Sequence, residues 1–128
     1  MTTINLEATL DTPKVVFSPE NNTLHIEGEC YPENPLPFFT PILDTLQGYL
    51  VNSKPARFEA HMRMQYINSA STMGLRKLFS ILDEAGLQGS DINVIWAFEE
   101  DDDAIEELGM DLVEDFTYIN LERQPFSA

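Results

Sequence analysis

Cysteine is almost missing from this chain. Cys30 stands alone, so no internal disulfide framework can form. Histidine is nearly as scarce: His25 and His61 lie far apart and share with Cys30 no spacing that would hold zinc, so neither a metal nor a cofactor is expected. No apolar run approaches the roughly 20 residues that span a bilayer. The opening Met1-Thr2-Thr3-Ile4-Asn5-Leu6-Glu7 has neither the basic start nor the apolar centre of a signal peptide, and the chain is expected to act in the cytoplasm. Basic residues are the other shortage. Seven Lys and Arg face 22 Asp and Glu, a formal net charge of −15, which phosphate backbones and anionic lipid surfaces repel. Nucleic acid and membrane are thereby excluded as partners, and a protein with a basic face is the natural counterpart. Ten of the 22 acids crowd into Glu99–Asp115, a run that reads as a solvated face.

What is present is the composition of a folded domain. Hydrophobic residues make up 43 % of the chain, too many for disorder, and residues 1–128 read as one domain without repeats. Pro13–Ser18 and Thr23–Glu29 read as a β-hairpin around the turn Pro19-Glu20-Asn21-Asn22. Cys30–Pro41, with four prolines, reads as a constrained connection, and Thr40-Pro41 as a helix start that leads to the stop at Asn52-Ser53-Lys54-Pro55. Ala56–Ile67 alternates, with Phe58, Ala60, Met62, Met64 and Tyr66 on one face of a central strand. A second helix is predicted over 69–85, with Met73, Leu75, Leu78, Phe79 and Leu82 on its apolar side and Gly86 ending it. Ile92–Phe98 is apolar enough for a strand covered on both faces. A third helix over 102–114 and a last strand, Phe116–Leu121, complete an α/β order of β-β-α-β-α-β-α-β. Such an order implies a mixed sheet with helices packed on it.

The segment Asn68-Ser69-Ala70-Ser71-Thr72 lies where the central strand becomes the second helix. Capping by Asn68 or Ser69 accounts for part of it. No Glu or Gln follows three residues on, so no capping box forms, and in so acidic a chain this first turn carries no acid. Asp83 and Glu84 sit at the end the helix dipole disfavours, while Arg76 and Lys77 come soon after the start. An anion at Ser69 would meet free backbone amides and the positive end of the helix, and a phosphoryl group is such an anion.

Tyr66-Ile67-Asn68-Ser69-Ala70-Ser71, followed by Met73-Gly74-Leu75, resembles the strand-to-helix turn of STAS domains, the anti-sigma-factor antagonist fold. In that fold an acid precedes the phosphorylated serine, and Asn68 stands in the place of that acid. Gly28-Glu29-Cys30-Tyr31-Pro32-Glu33-Asn34 resembles the signature of the SiaC-type regulatory phosphoproteins, a STAS-like family with a Tyr-Pro-Glu-Asn turn after the second strand and an acceptor turn later. With the tryptophan strand around Trp96, the likeness extends over nearly the whole chain.

The resemblance implies a non-enzymatic partner-switching module. A cognate Ser/Thr kinase would phosphorylate the turn, a PP2C-type phosphatase would reverse it, and the unphosphorylated form would bind and activate a diguanylate cyclase in cyclic di-GMP signalling. The acceptor carries over to Ser69, with Ser71 and Thr72 as second choices. Candidate partner contacts are Asn68, Ser69, Arg76, Tyr31, Glu33 and Asn34, although turn chemistry alone also explains Tyr31-Pro32-Glu33-Asn34. The same fold could instead serve as an anti-sigma-factor antagonist or as a constitutive interaction domain. An enzyme would need a nucleophile with a positioned base; Cys30 with His25 is the one pair on offer, and no third group orients it. The acids of Glu99–Asp103 with Glu106 lack the spacing and glycine of a calcium loop.

Overall fold

Burial at every second residue sets the sheet. In the computed structural model, which describes residues 2–127, Thr23–Cys30 turns Leu24, Ile26 and Cys30 inward and leaves His25, Glu27 and Glu29 outside. The strands are β1 (Ile4–Leu6), β2 (Lys14–Ser18), β3 (Thr23–Cys30), β4 (Arg57–Ile67), β5 (Asp91–Glu99) and β6 (Ile119–Phe126), and they lie side by side in that order. Strands β1 to β3 pair antiparallel and β3 to β6 parallel, so the sheet is mixed as expected. The helices α1 (Leu36–Ser53), α2 (Ser69–Leu87) and α3 (Asp103–Glu114) form the three crossovers. Strand β1 is one more than the sequence pattern indicates. Three residues carry too little periodicity to be read without their partner, Val15–Phe17.

Each crossover moves one strand further in the same direction, and a right-handed connection then puts its helix on the same face each time. All three helices share one core with the sheet: Tyr49 of α1 packs edge-on against Phe17, Phe79 of α2 against Trp96, and the Trp96 indole donates to Ile105 O of α3 at 2.8 Å. Strand β5 is therefore not covered on both faces. Ile92, Val94, Trp96 and Phe98 are buried under the helices, whereas Asn93 and Ile95 point to a face that no helix covers among the described residues. Ala97 is buried on that face beside Arg63, whose guanidinium lies 3.9 Å from the centre of the Phe126 ring.

Several boundaries differ from the sequence reading. Helix α1 begins at Leu36, not at Thr40-Pro41. Pro37 is tolerated in the first turn, where its missing N–H has no partner to lose, and buried Phe39 anchors that turn. Pro41 then lies inside the helix, and the connection shrinks to residues 31–35. Gly86 does not end α2. A Cβ there would come within 2.5 Å of Tyr118 Cβ, so the missing side chain lets the segment before β6 approach. Met73 is 65 % exposed and off the apolar side. The last strand starts at Ile119, because Asp83 Oδ1 accepts from the amides of Thr117 (3.0 Å) and Tyr118 (2.7 Å) and ties them to α2. Tyr66 leaves the buried face because β3 and β4 shift register there: Gly28 pairs with Met64 but Glu29 pairs with Tyr66. Gln65 is the extra residue of a bulge, and one extra residue exchanges the two faces of everything beyond it. Gly28 takes φ +124° at this shift, a backbone angle that L side chains rarely adopt.

Two stability outcomes follow. Gly74 of α2 seats the Phe39 ring of α1, and a Cβ would lie 2.5 Å from Phe39 Cδ2. Gly74→Ala should lower the urea-unfolding free energy by about 1–3 kcal/mol although alanine is the better helix former. His25 is held below its ordinary pKa, first by burial and then by His61, against the smaller pull of Glu27 and Glu59. As pH falls below about 6.5 the unfolded chain takes up this proton before the folded one, so stability falls with pH until the folded group protonates as well. His25→Gln should flatten that segment of the stability profile relative to wild type.

Candidate functional site

The carboxyl ends of β3 and β4 are neighbours, so the segments that leave them meet. The residues Tyr31-Pro32-Glu33-Asn34 follow β3, and Asn68-Ser69 follows β4. Asn68 joins the two. Its backbone N–H donates to Cys30 O (3.0 Å), its Nδ2 to Pro32 O (3.3 Å), and its Oδ1 accepts from Ser71 N (2.9 Å) as the N-cap of α2. The cap backbone is extended, at φ −80° and ψ 166°, as capping requires. Asn68 O also accepts from the Thr72 amide and from Thr72 Oγ1, both at 3.2 Å. An asparagine can donate and accept at once, which the acid of the STAS resemblance cannot.

The three hydroxyls of this turn have different surroundings. Ser69, the first residue of α2, is exposed, and the first-turn amides of Ser69 and Ala70 precede the point where a helix supplies its own acceptors. No acid lies in that turn. Ser71 is fully buried and its Oγ has no hydrogen-bond partner of good geometry. It lies against the Cys30 thiol, which burial pushes above its ordinary pKa, with a weaker opposing pull from the Ser71 hydroxyl. Thr72 is partly buried and its hydroxyl is engaged with Asn68 O.

The other candidates divide between exposed and supporting positions. Tyr31 is half-buried and meets Tyr66 edge-on, with centroids 5.8 Å apart. Pro32 is buried, Glu33 is exposed, and Asn34 Oδ1 accepts from Leu36 N (3.3 Å), which shapes the entry to α1. Arg76 lies two turns beyond Ser69, and its Nη1 pairs with Asp115 Oδ2 at 2.6 Å. Sequence reasoning missed Tyr66, Met73 and Leu36 as surface residues; all three are more than half exposed, Tyr66 and Met73 close in sequence to Ser69 and Leu36 to the Tyr31–Asn34 turn. Met73 is one helical turn from Ser69, and the i, i+4 spacing was the available signal. Cys30 and His25 do not meet, since one is buried under the helices and the other points to the open face. Part of the acidic run is engaged as well: Asp102 Oδ1 accepts from Ile105 N (3.1 Å), Asp115 holds Arg76, and Glu106 pairs with Arg123. No described helix is long and apolar enough to cross a membrane.

The start of α2 thus offers the exposed Ser69 hydroxyl, with the exposed side chains of Tyr66 and Met73 close to it in sequence. Comparison with known proteins gives the family and the fold. The profile of the SiaC family regulatory phosphoproteins matches residues 6–126. An uncharacterised protein of Pseudomonas aeruginosa strain UCBPP-PA14 is 23 % identical over 118 residues, covering 92 % of this chain and 93 % of its own. The crystal structure of apo-SiaC from Pseudomonas aeruginosa superposes with a TM-score of 0.87 at 23 % identity, over 97 % of this chain and 99 % of that one. SiaC in the crystal structure of the diguanylate cyclase SiaD in complex with its activator SiaC, from the same organism, superposes with a TM-score of 0.89 at 22 % identity, over 96 % of this chain and 99 % of that one.

Asn68→Ala removes both side-chain ties, the cap on Ser71 N and the bond to Pro32 O, and should cost about 1–2 kcal/mol in chemical denaturation. Asn68→Asp keeps the cap acceptor and loses only the donor to Pro32 O, so its loss should be the smaller of the two. Equal losses would show that the tie to Pro32, not the cap, dominates.

Proposed function

The chain belongs to the SiaC family of regulatory phosphoproteins, and we propose that it is a partner-switching activator in which the Ser69 hydroxyl gates binding to a diguanylate cyclase. The observation that carries this reading is the start of α2, where an exposed serine sits beside free first-turn amides in a turn without acids. A kinase needs a hydroxyl that can reach the γ-phosphorus of ATP in line. Ser69 offers one, whereas Ser71 is enclosed and Thr72 is bonded to Asn68 O. The resulting phosphoserine, with about −1.5 to −2 charges, is stabilised by the amides and the helix dipole.

The same phosphate disfavours a docked partner. Tyr66 and Met73 present exposed apolar surface close to Ser69 in sequence, and Leu36 does so after the Tyr31–Asn34 turn, which Asn68 ties to the start of α2. An effector covering them would bury the dianion against groups that cannot solvate it. A penalty of roughly 3 kcal/mol there weakens binding about a hundredfold, which switches a complex without refolding either protein. The complex of the related SiaC with a diguanylate cyclase supports a cyclase as the effector. In this reading a cognate Ser/Thr kinase writes the mark and a PP2C-type phosphatase erases it, in the cytoplasm where ATP is supplied. The chain contributes binding, not turnover. Asn68 positions the acceptor and the Tyr31–Asn34 turn, and the acids of Glu99–Asp115 left unpaired steer a basic face of the partner.

With the cognate kinase and ATP, intact-mass analysis should find one phosphoryl group on wild type and none on Ser69→Ala. Against the cognate cyclase, Ser69→Ala should bind as wild type does. Ser69→Asp should bind about ten- to a hundredfold more weakly while keeping its fold, since an acid suits a helix N-terminus. Tyr66→Ala and Met73→Ala should each weaken the unphosphorylated complex by about tenfold if they anchor it. Wild-type affinity in Ser69→Asp would remove the physical basis of the gate.

A further inference from the structure

Four parallel strands with one bare face are unusual, because parallel sheets nearly always carry a layer on each side. Here the bare face has a pattern of its own. In register across it, Val16 pairs with His25, His25 with His61, and His61 with Ile95. The two imidazoles stack with centroids 4.4 Å apart and planes within 8°. The result is an aromatic and apolar stripe across the middle of the sheet.

Charge flanks the stripe in both signs. Lys14 and Arg63 are the cross-strand partners of Glu27, and Arg57 reaches Glu59 at 3.5 Å while Glu59 Oε1 also holds His61 Nε2 at 2.9 Å. Three of the seven Lys and Arg and both histidines lie on this face, against the acids Glu27, Glu29, Glu59, Asp91, Glu99 and Glu122. Six acids stand against three bases here and sixteen against four over the rest of the chain, so this face repels its own copy least. A two-fold axis brings residue i against j and j against i, so a base of one copy can meet an acid of the other only on a face that carries both signs. Six strands about 4.8 Å apart and roughly 20 Å long give a patch of about 500 Å² per copy. Two such patches bury about 1,000 Å², the lower limit of a specific interface.

We propose that two copies of this chain associate through the helix-free face of the sheet, with the stripe of Val16, His25, His61 and Ile95 across the two-fold axis. The contact is weak, as its area requires. It is independent of the Ser69 gate, because it uses the outward residues of the strands and not the start of α2.

Sedimentation equilibrium of the full chain from about 10 µM to about 1 mM at neutral pH tests this. The mass should rise from that of the 14.5 kDa monomer toward twice that value. Ile95→Glu, which sets like charges across the axis, should hold the protein monomeric throughout, and Ser69→Asp should dimerise as wild type does. Should circular dichroism find Ile95→Glu unfolded, Arg63→Glu takes its place and should weaken association at least tenfold. A wild type that stays monomeric at 1 mM overturns the proposal. So does a folded Ile95→Glu or Arg63→Glu that dimerises with wild-type affinity, since the contact would then lie on another face.

Discussion

The parallel pairing of β3 with β4 is the constraint on which the rest depends. A right-handed crossover of one strand per step brings the carboxyl ends of consecutive strands together and sends every helix to the same side. The turn after β3 and the start of α2 after β4 then emerge next to each other, and the Asn68 N–H to Cys30 O bond closes the gap between them. Because the strand order runs from β1 to β6 without reversing, the parallel strands have no switch point at which a ligand crevice would open. The carboxyl edge therefore presents the exposed Ser69 hydroxyl beside the Tyr31–Asn34 turn, the surface on which the proposed switch rests.

Where this acidic chain places its acids supports the same conclusion. Asp102 caps α3 with Asp103 and Glu106 in its first turn, where the dipole rewards negative charge. Asp83 near the end of α2 opposes that dipole, yet two amide donors from Thr117 and Tyr118 offset the cost and fix the entry to β6. Among the described helices only α2 begins with a neutral amide cap and an exposed hydroxyl. A first turn that leaves its donors free for an added anion is what a phosphorylation-controlled module requires.

Much of the fold was legible because it repeats. Alternation marked β3 and β4 and helical spacing marked α1 and α2, since those periods come directly from backbone geometry, and a continuous apolar run marked β5. The start of α2 at Ser69 stood out by a lack, the absence of acid in one turn, and the Tyr31–Asn34 turn by its resemblance to a known signature; the structure shows Ser69 exposed and Asn68 tied to Pro32 O. What escaped was non-local. Tyr66 reads as buried until the bulge at Gln65 exchanges its face, and Gly86 reads as a stop until Tyr118 is seen to occupy the space of its side chain. Strand β5 reads as doubly covered because apolar content cannot report on which side a crossover places its helix.

The sequence by itself determined the element types, the acidic surface, the exclusion of a disulfide framework and the one helix start suited to an anion. These depend on residues near one another in the chain, where torsional preference and charge act locally. Only the tertiary structure decided which hydroxyl stays accessible, that Asn68 binds two separate segments, and that one face of the sheet is left bare. Each of these is set by partners 30 or more residues away or by the hand of a crossover, and neither can be read from local periodicity.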